Sequence, residues 1–487
     1  MDPASSIRKF AQDREPAHRR HGLLLFVLSL WALAALAGCN PWLRAEIPAP
    51  GAPSLDDPFY PSMGNGGYDA LHYTLDLTVD VPSNMLAGTS TMRAQATQAL
   101  SSFNLDLHGL TVLGVGVDGR PATFAHVGDE LVITPTVPIG NRSVFTATVS
   151  YYGAPTAIND KAIGFGEVGW QVQDDGTYVV SQPSGAMNWY PVNNHPLDKA
   201  TYTFRITVAP EYQVAANGVL TDITAHADGF TYVWESDDRI ASYLTTVQIA
   251  RYEIEAQDGP DGVLIRNYFP VDTPASVRAR FADTDAMLAF LSELVAPYPF
   301  DAYGAILLDI RMGWALETQT LSTFGADGSN EIVIAHELVH QWFGNSVTPA
   351  RWEDIWLNEG FASYISYMWL EETAGKAAFD DYMDEMYDYL VSIDAKPPAT
   401  VPVEEMFSRT VYVRGAWTLH ALRLAVGNET FVDILRTYYA RFADGNVTTE
   451  DFIAVASEVS GRDVHEIVDP WLYDATLPPR PETIASQ

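Results

Sequence analysis

The most informative motif of the sequence is His336-Glu337-Leu338-Val339-His340, and Leu357-Asn358-Glu359-Gly360 follows it in the chain. On a helix, residues i and i+4 project from one face about 6 Å apart, so two imidazoles at these positions can reach one ion. Eighteen residues separate His340 from Glu359. Glu359 lies in a second helical pattern, Leu357 to Leu370, and supplies the third ligand that the histidine pair lacks.

The pattern is typical of a catalytic zinc site. Two histidines and a carboxylate give Zn²⁺ three protein ligands and leave a fourth position for water, whose pKa the metal lowers. We therefore predict one zinc ion per chain, held by His336, His340 and Glu359, with Glu337 as general base. The alternative is a helix with two ordinary histidines, but unpaired imidazoles beside a buried stripe would need partners. The helix has such an apolar stripe: Ile332, Ala335, Val339 and Trp342.

The composition is that of a globular chain with a strongly acidic surface. Of 487 residues, 47% are hydrophobic, and 28 basic against 62 acidic residues give a formal net charge of −34. A chain of this length exceeds what one hydrophobic core usually supports, so we expect two or three domains. Nonspecific nucleic-acid binding is excluded, because its footprint is a basic surface.

The amino terminus has the pattern of an export signal. Basic residues precede an apolar run from Leu23 to Ala37, which is short for a membrane span and right for a signal-peptide core. Leu36-Ala37-Gly38-Cys39 resembles the lipobox of bacterial lipoproteins, and Cys39 is the only cysteine. We predict a signal peptide over residues 1–38 and an exported chain that lipidated Cys39 anchors to the bacterial cell membrane or outer membrane, outside the cytoplasm. An uncleaved anchor is the alternative.

The periodicity of the sequence divides the rest of the chain. Residues 39–67 are rich in Pro, Ala, Gly and Ser, which indicates an extended tether. Residues 68–258 alternate apolar and polar side chains, which predicts an antiparallel all-β domain. The turn residues Gln257-Asp-Gly-Pro-Asp-Gly262 are the predicted boundary. Residues 259–478 are mostly helical and contain the histidine motif, and residues 479–487 are a predicted tail.

A segment before the histidine motif connects the chain to a known family. Gly313-Trp314-Ala315-Leu316-Glu317-Thr318 resembles the Gly-Ala-Met-Glu-Asn motif of the M1 zinc aminopeptidases, the gluzincins related to aminopeptidase N and leukotriene A4 hydrolase. The resemblance implies a thermolysin-like α+β metallopeptidase domain after the β-sheet domain. It also implies that Glu317 binds the substrate's α-ammonium, with Gly313, Ala315 and Leu316 lining the substrate site. Trp314 and Thr318 depart from the family pattern, so the resemblance does not determine the shape of the substrate pocket.

Two more segments extend the resemblance. Val411-Tyr412-Val413-Arg414-Gly415-Ala416 is similar to the family's Tyr-x-Lys-Gly-Ala segment, so Tyr412 is expected to stabilise the oxyanion that forms when water attacks a carbonyl. Arg414 keeps the charge of the family's lysine. Gln182 to Lys199 resembles the family region that ends in Asp-x-Pro-x-x-Lys, which assigns Gln182 to the amino-terminal subsite. A structural strand residue is the alternative for Gln182.

The resemblance implies a zinc-dependent aminopeptidase that hydrolyses the first bond of peptides with a free N-terminus. A zinc endopeptidase or another hydrolase on the same site is one alternative, and an inert lipid-anchored binding protein is the other. Many family members carry a further helical domain over the active site. Because this chain ends at Gln487, we expect that domain to be missing and the cleft to be open or covered by a partner.

Overall fold

The computed structural model of the protein describes residues 46–164, 166–311 and 313–481. The predicted signal peptide over residues 1–38 and the predicted lipidation site at Cys39 lie outside these residues, as does most of the predicted tail over 479–487. No helix in the described part combines the length and the apolar character needed to cross a bilayer.

The amino-terminal part forms strands because apolar and polar side chains alternate. In β2 (Tyr68–Asp80), Leu75, Leu77 and Val79 are buried and the residues between them face solvent. Successive side chains of a strand point to opposite faces of the sheet, so this pattern buries one face. The other strands of this part are β1 (Ala49–Pro50), β3 (Met85–Ala96), β4 (Leu100–Asp106), β5 (Thr111–Val117), β6 (Arg120–Pro121), β7 (Thr123–Val127), β8 (Glu130–Thr134), β9 (Val144–Gly153), β10 (Gly169–Gln173), β11 (Gly176–Val180), β12 (Lys199–Val208), β13 (Gln213–Ala216), β14 (Val219–His226), β15 (Gly229–Ala241) and β16 (Val247–Ala250).

These strands form one large sheet and two smaller ones. The eight-stranded sheet has the order β14-β15-β12-β2-β3-β9-β5-β6, and the four-stranded sheets have the orders β1-β4-β8-β7 and β10-β11-β16-β13. The predicted antiparallel β domain is confirmed, except that β1 with β4 and β2 with β12 run parallel. The strands of these two pairs are distant in sequence, so no hairpin forces an antiparallel arrangement.

The predicted tether over residues 39–67 is wrong for its described part. The carboxylate of Asp57 accepts a hydrogen bond from the backbone N–H of Trp352 at 2.9 Å, far along the chain. Asn65 donates to the buried carboxylate of Asp106 at 3.1 Å. The prolines favour an extended backbone, but the polar side chains of the segment find buried partners, so it packs onto the body of the protein.

The domain boundary predicted at residue 258 is placed too late. β17 (Tyr252–Asp258) and β18 (Leu264–Pro270) pair antiparallel across it. The predicted turn residues therefore close a hairpin of a further, five-stranded sheet and do not link two domains. That sheet has the order β17-β18-β19-β21-β20, which leaves β20 at an edge. Its other strands are β19 (Ala302–Leu308), β20 (Ala315–Leu316) and β21 (Ser322–Gly325).

Helices dominate the rest of the chain, as the sequence predicts. The described residues from Pro48 onward form one compact unit, so the β-rich and helical parts pack together. A short parallel pair, β22 (Thr348–Pro349) with β23 (Asn446–Val447), joins two loops. The helices are α1 (Ala275–Arg278), α2 (Thr284–Leu294), α3 (Glu331–Val339), α4 (Trp356–Ala374), α5 (Lys376–Ser392), α6 (Arg409–Val426), α7 (Asn428–Phe442), α8 (Thr449–Ser460) and α9 (His465–Tyr473).

Helices α4 and α6 touch at two glycines. A Cβ built on Gly360 would lie 3.0 Å from the Cα of Gly415, and one on Gly415 would lie 2.9 Å from the Cα of Gly360. Both contacts are to backbone, so a side chain here would force the helices apart. Gly360 follows Glu359 directly, and Gly415 is in the same helix as Tyr412. The glycine contact therefore sets the spacing of two predicted site residues.

We predict that Gly415→Ala lowers the free energy of unfolding by about 1–3 kcal/mol, the usual cost of overpacking. Denaturant unfolding measures it. Gly114→Ala is the matched control, because a Cβ at Gly114 meets nothing within 4 Å, and it is expected to change the stability by less than about 0.5 kcal/mol. Equal stabilities of the two variants would contradict the close helix contact.

Candidate active site

Helix α3 presents both predicted histidine ligands on one face. Asn330 caps the helix, because its side-chain oxygen accepts the backbone N–H of Val333 at 3.1 Å. His336 lies within α3, and His340 follows its last residue with its N–H bonded to the His336 carbonyl at 3.2 Å. The two imidazole rings are therefore neighbours, with centroids 4.7 Å apart and ring planes at 81°.

Helix α4 brings the third donor atom to the same point. Oε2 of Glu359 lies 3.3 Å from Nε2 of His336 and 3.5 Å from Nε2 of His340, and the two Nε2 atoms are 3.0 Å apart. Donor atoms placed about 2.0–2.1 Å from a tetrahedral zinc ion lie about 3.3 Å from one another. The three residues thus have the spacing that one zinc ion requires, and they would hold it.

The backbone fixes the tautomer of His340. Its Nδ1 lies 3.1 Å from the carbonyl oxygen of Phe343. A carbonyl only accepts hydrogen bonds, so Nδ1 carries the proton and Nε2 turns its lone pair toward the metal position. The residues after α3 therefore take part in the site, although none of them is a predicted ligand.

The site collects negative charge in a buried position. Glu317, Glu337 and Glu359 are all 5% exposed or less. Burial acts to lower the pKa of His340, but the charges of Glu317 and Glu359 raise it to about 10. Burial acts to raise the pKa of Glu359, but the charge of His340 and the hydrogen bonds with both imidazoles lower it to about 2. The surroundings favour a positive charge here, which a divalent cation supplies.

Glu337 lies beside the three-donor site, where a general base is predicted. Ligand atoms of Glu317, Glu337 and His340 lie within 4.8 Å of one another. Burial raises the pKa of the Glu337 carboxyl well above its ordinary value. A carboxylate with a raised pKa accepts a proton from water more readily. The geometry and the basicity of Glu337 both suit a proton carrier next to a metal-bound water.

Glu317 follows the edge strand β20 and is held through two of its groups. Nε2 of Gln182 donates to its Oε1 at 2.7 Å, and Nδ2 of Asn345 donates to its backbone carbonyl at 2.7 Å. Burial raises the pKa of the Glu317 carboxyl. The structure thus brings Gln182 to Glu317, as the resemblance implies. Its amide NH₂ orients the carboxylate, while its carbonyl oxygen stays available to accept from an ammonium.

The three residues predicted to line the substrate site differ in exposure. Gly313 is exposed, Ala315 is half-buried and Leu316 is buried. Ala315 and Leu316 pair with Phe324 and Thr323 of β21 on one side only. Gly313 and Ala315 are therefore accessible at the sheet edge, and Leu316 packs into the core.

The two departures from the family motif have separate structural outcomes. The hydroxyl of buried Thr318 donates to the carbonyl of Leu321, so it supports the turn after Glu317. Trp314 lines a cavity of about 450 Å³ together with Tyr178 and Arg311. Of the two departures, Trp314 is therefore the one that lines a cavity.

Tyr412 reaches the site from α6. Its ring stacks on that of His336 with centroids 5.8 Å apart and planes at 19°. Burial and the charges of Glu359, Glu317 and Glu337 raise its pKa well above the ordinary value. The hydroxyl therefore stays protonated and can act as a hydrogen-bond donor.

Arg414 does not contribute its charge to the site. Its guanidinium is buried and donates to the backbone carbonyls of Ala395, Pro470, Trp471 and Asp474. Its described contacts tie α6 to the carboxyl-terminal part of the fold.

Sequence reasoning misses the residues that support the site from behind. Tyr243 and Lys199 from the β-rich part donate to backbone carbonyls that follow His340. Asn345 and Asn358 add amide hydrogen bonds around the ligands. Two of the four carry a sequence signal, since Lys199 ends the segment that resembles the family's Asp-x-Pro-x-x-Lys region and Asn358 directly precedes Glu359. Tyr243 and Asn345 are outside every motif.

Two family models match the chain. Peptidase M1 N-terminal domain matches residues 69–244, and Peptidase family M1 domain matches residues 286–471. Aminopeptidase M1-B of Oryza sativa subsp. japonica is 25% identical over 84% of this chain and 50% of its own length. Probable aminopeptidase 2 of Sulfurisphaera tokodaii is 25% identical over 76% of this chain and 49% of its own length. The chain thus spans about half the length of these curated relatives.

Solved structures match over their whole length. An M1 zinc metallopeptidase from Deinococcus radiodurans has a TM-score of 0.84 and 32% sequence identity, over 89% of this chain and 100% of that chain. A mutant of it bound to a Tyr-Ser-Ala substrate has a TM-score of 0.84 and 32% identity, over 88% of this chain and 100% of that chain. Because this likeness includes both the β-rich and the helical part at that identity, the protein belongs to the M1 family of zinc metallopeptidases.

Proposed function

We propose that the protein is a zinc-dependent aminopeptidase that removes the first residue from peptides with a free N-terminus. The observation that carries this proposal is the position of the Glu317 carboxylate. It lies within 4.8 Å of ligand atoms of Glu337 and His340, next to the three-donor site. An ammonium bound at Glu317 would put only one residue between the substrate's end and the metal position.

Each residue has one task in this proposal. His336, His340 and Glu359 would hold the zinc ion, which would supply a Lewis acid for the scissile carbonyl and for the attacking water. Glu337 would take a proton from the attacking water and pass it to the leaving amine. The Tyr412 hydroxyl would donate a hydrogen bond to the oxyanion of the reacting carbonyl. Glu317, oriented by Gln182, binds the α-ammonium.

The burial of Glu317 supports exopeptidase action over the endopeptidase alternative. A buried carboxylate is costly unless a cation or donors pair with it. Gln182 supplies one donor to its Oε1, and a substrate ammonium would supply the countercharge. The backbone of an internal peptide segment has no α-ammonium. The mutant of the Deinococcus radiodurans enzyme that is bound to a Tyr-Ser-Ala substrate supports the use of short peptides.

We predict that Glu337→Gln keeps zinc but loses about 10²- to 10⁴-fold in turnover, the usual contribution of a general base. The amide has the shape of the carboxylate but cannot accept the proton. Zinc per chain by metal analysis and hydrolysis of an amino-acid amide measure the two effects. Near-normal turnover would contradict the role of Glu337, and loss of zinc would make it a structural residue.

We predict that Glu317→Gln lowers kcat/KM for unblocked amino-acid amides at least about 30-fold, since breaking a buried charge pair costs about 2–5 kcal/mol. Glu372→Gln on exposed α4 surface is the control and should leave kcat/KM unchanged. The parent protein should not cleave the N-acetylated forms of the same substrates. Equal cleavage of blocked and unblocked substrates would contradict the exopeptidase proposal.

We also propose that the protein is exported and anchored to a bacterial membrane through lipidated Cys39. The basic segment, the apolar run and Leu36-Ala37-Gly38-Cys39 support this. Expression in a bacterium with an alkyne-labelled fatty acid should label the membrane fraction of the parent protein, and Cys39→Ala should lose the label. Unlabelled, soluble parent protein would contradict the anchor.

A further inference from the structure

Four consecutive residues after the zinc helix, Phe343 to Ser346, connect the site to the β-rich part of the protein. We refer to them as the post-helix loop. All four backbone carbonyls accept hydrogen bonds from side chains. The Phe343 carbonyl accepts from His340, and the next three accept from residues of the β-rich part: Tyr243 to Gly344, and Lys199 to both Asn345 and Ser346.

Tyr243 makes the contact that touches both ligand-bearing segments. It lies in a short 3₁₀ turn, Ser242–Leu244, and its side chain is fully buried. Its hydroxyl donates to the Gly344 carbonyl at 2.8 Å and accepts from Nδ2 of Asn358 at 3.2 Å. Gly344 lies in the post-helix loop beyond His340, and Asn358 directly precedes Glu359 in α4.

The packing around Gly344 leaves little room for the loop to shift. Gly344 has φ +126°, and a Cβ there would lie 3.1 Å from Nδ1 of His340 and 3.2 Å from Nδ2 of Asn358. The backbone at this point is therefore in contact with a ligand ring and with the neighbour of another ligand. Trp352 packs edge-on against Tyr243 with centroids 5.0 Å apart. A displaced Gly344 would move the Phe343 carbonyl and, with it, the His340 ring.

Lys199 reinforces the same loop. Its buried ammonium donates to the Asn345 and Ser346 carbonyls at 3.0 and 2.9 Å. Nδ2 of Asn345 in turn donates to the backbone carbonyl of Glu317 at 2.7 Å. The β-rich part thus contacts the loop at two points, and Tyr243 is the contact nearer the metal ligands.

We propose that Tyr243 is a positioning residue for zinc. Its hydroxyl holds Gly344 and Asn358 together, which keeps His340 and Glu359 at the separation that one ion requires. The β-rich part therefore contributes to zinc affinity without contributing a ligand. Groups that hydrogen-bond a metal ligand directly typically change metal affinity 10- to 100-fold when they are removed. Tyr243 bonds the neighbours of two ligands, so we expect an effect at the lower end of that range. The proposal rests on the zinc site and is independent of the substrate that is cleaved.

Zinc release to excess chromogenic chelator tests this proposal. Tyr243→Phe deletes only the hydroxyl, and we expect zinc to leave about 10-fold faster than from the parent protein. Tyr151→Phe is the control, because its buried hydroxyl also donates to a backbone carbonyl, that of Trp189 at 3.1 Å, within the β-rich part. We expect the control to release zinc at the parent rate.

A second variant covers the case in which Tyr243→Phe does not fold. Asn358→Ala removes the donor to the same hydroxyl and leaves Tyr243 in place, so it should also release zinc faster than Tyr151→Phe. Release at the control rate from folded Tyr243→Phe, or from Asn358→Ala if the first variant is unfolded, would overturn the proposal. Because zinc release is the readout, an absence of aminopeptidase activity would leave this result unaffected.

Discussion

Three donor atoms, Nε2 of His336, Nε2 of His340 and Oε2 of Glu359, lie within 3.5 Å of one another. A single zinc ion can bind all three only if the elements that carry them keep this spacing. His336 and His340 come from α3 and the residue after it, so their spacing is local. Glu359 comes from α4, and its position depends on tertiary packing. Gly360 and Gly415 let α4 and α6 approach to backbone contact, which brings Tyr412 to the same ligands. A zinc ion compensates the charge that this convergence buries.

Residues of the β-rich part contact the active site, so this part is more than a scaffold for the catalytic domain. Gln182 orients the carboxylate of Glu317. Tyr243 and Lys199 bind the carbonyls of the post-helix loop. Gln182, Tyr243 and Lys199 are all buried, and a hydrogen bond lost there leaves an unpaired polar group and costs about 1–3 kcal/mol. Residues of the β-rich part therefore support both the metal position and the proposed ammonium position.

The sequence predicts most of what is local and little of what is tertiary. Period-two alternation predicts the strands, because a pleated strand buries every second side chain. Helical spacing brings His336 and His340 together, because residues i and i+4 lie on one face of a helix. The tether prediction fails because composition reports an extended backbone and not the partners that Asp57 finds. The boundary prediction fails because Gly and Pro indicate a turn but do not distinguish a turn between two paired strands from a linker between two domains. Tyr243 has no local signal, since its role exists only through contacts distant in sequence.

We expect one zinc ion to be held by His336, His340 and Glu359, one substrate residue away from an ammonium bound at Glu317. A crystal structure of the Glu337→Gln variant with an unblocked tripeptide, with anomalous scattering at the zinc edge, would show both positions. We predict one zinc peak bonded to both Nε2 atoms and the Glu359 carboxylate, with the peptide's terminal nitrogen hydrogen-bonded to Glu317. A zinc peak elsewhere, or a peptide whose terminal nitrogen lies away from Glu317, would contradict it.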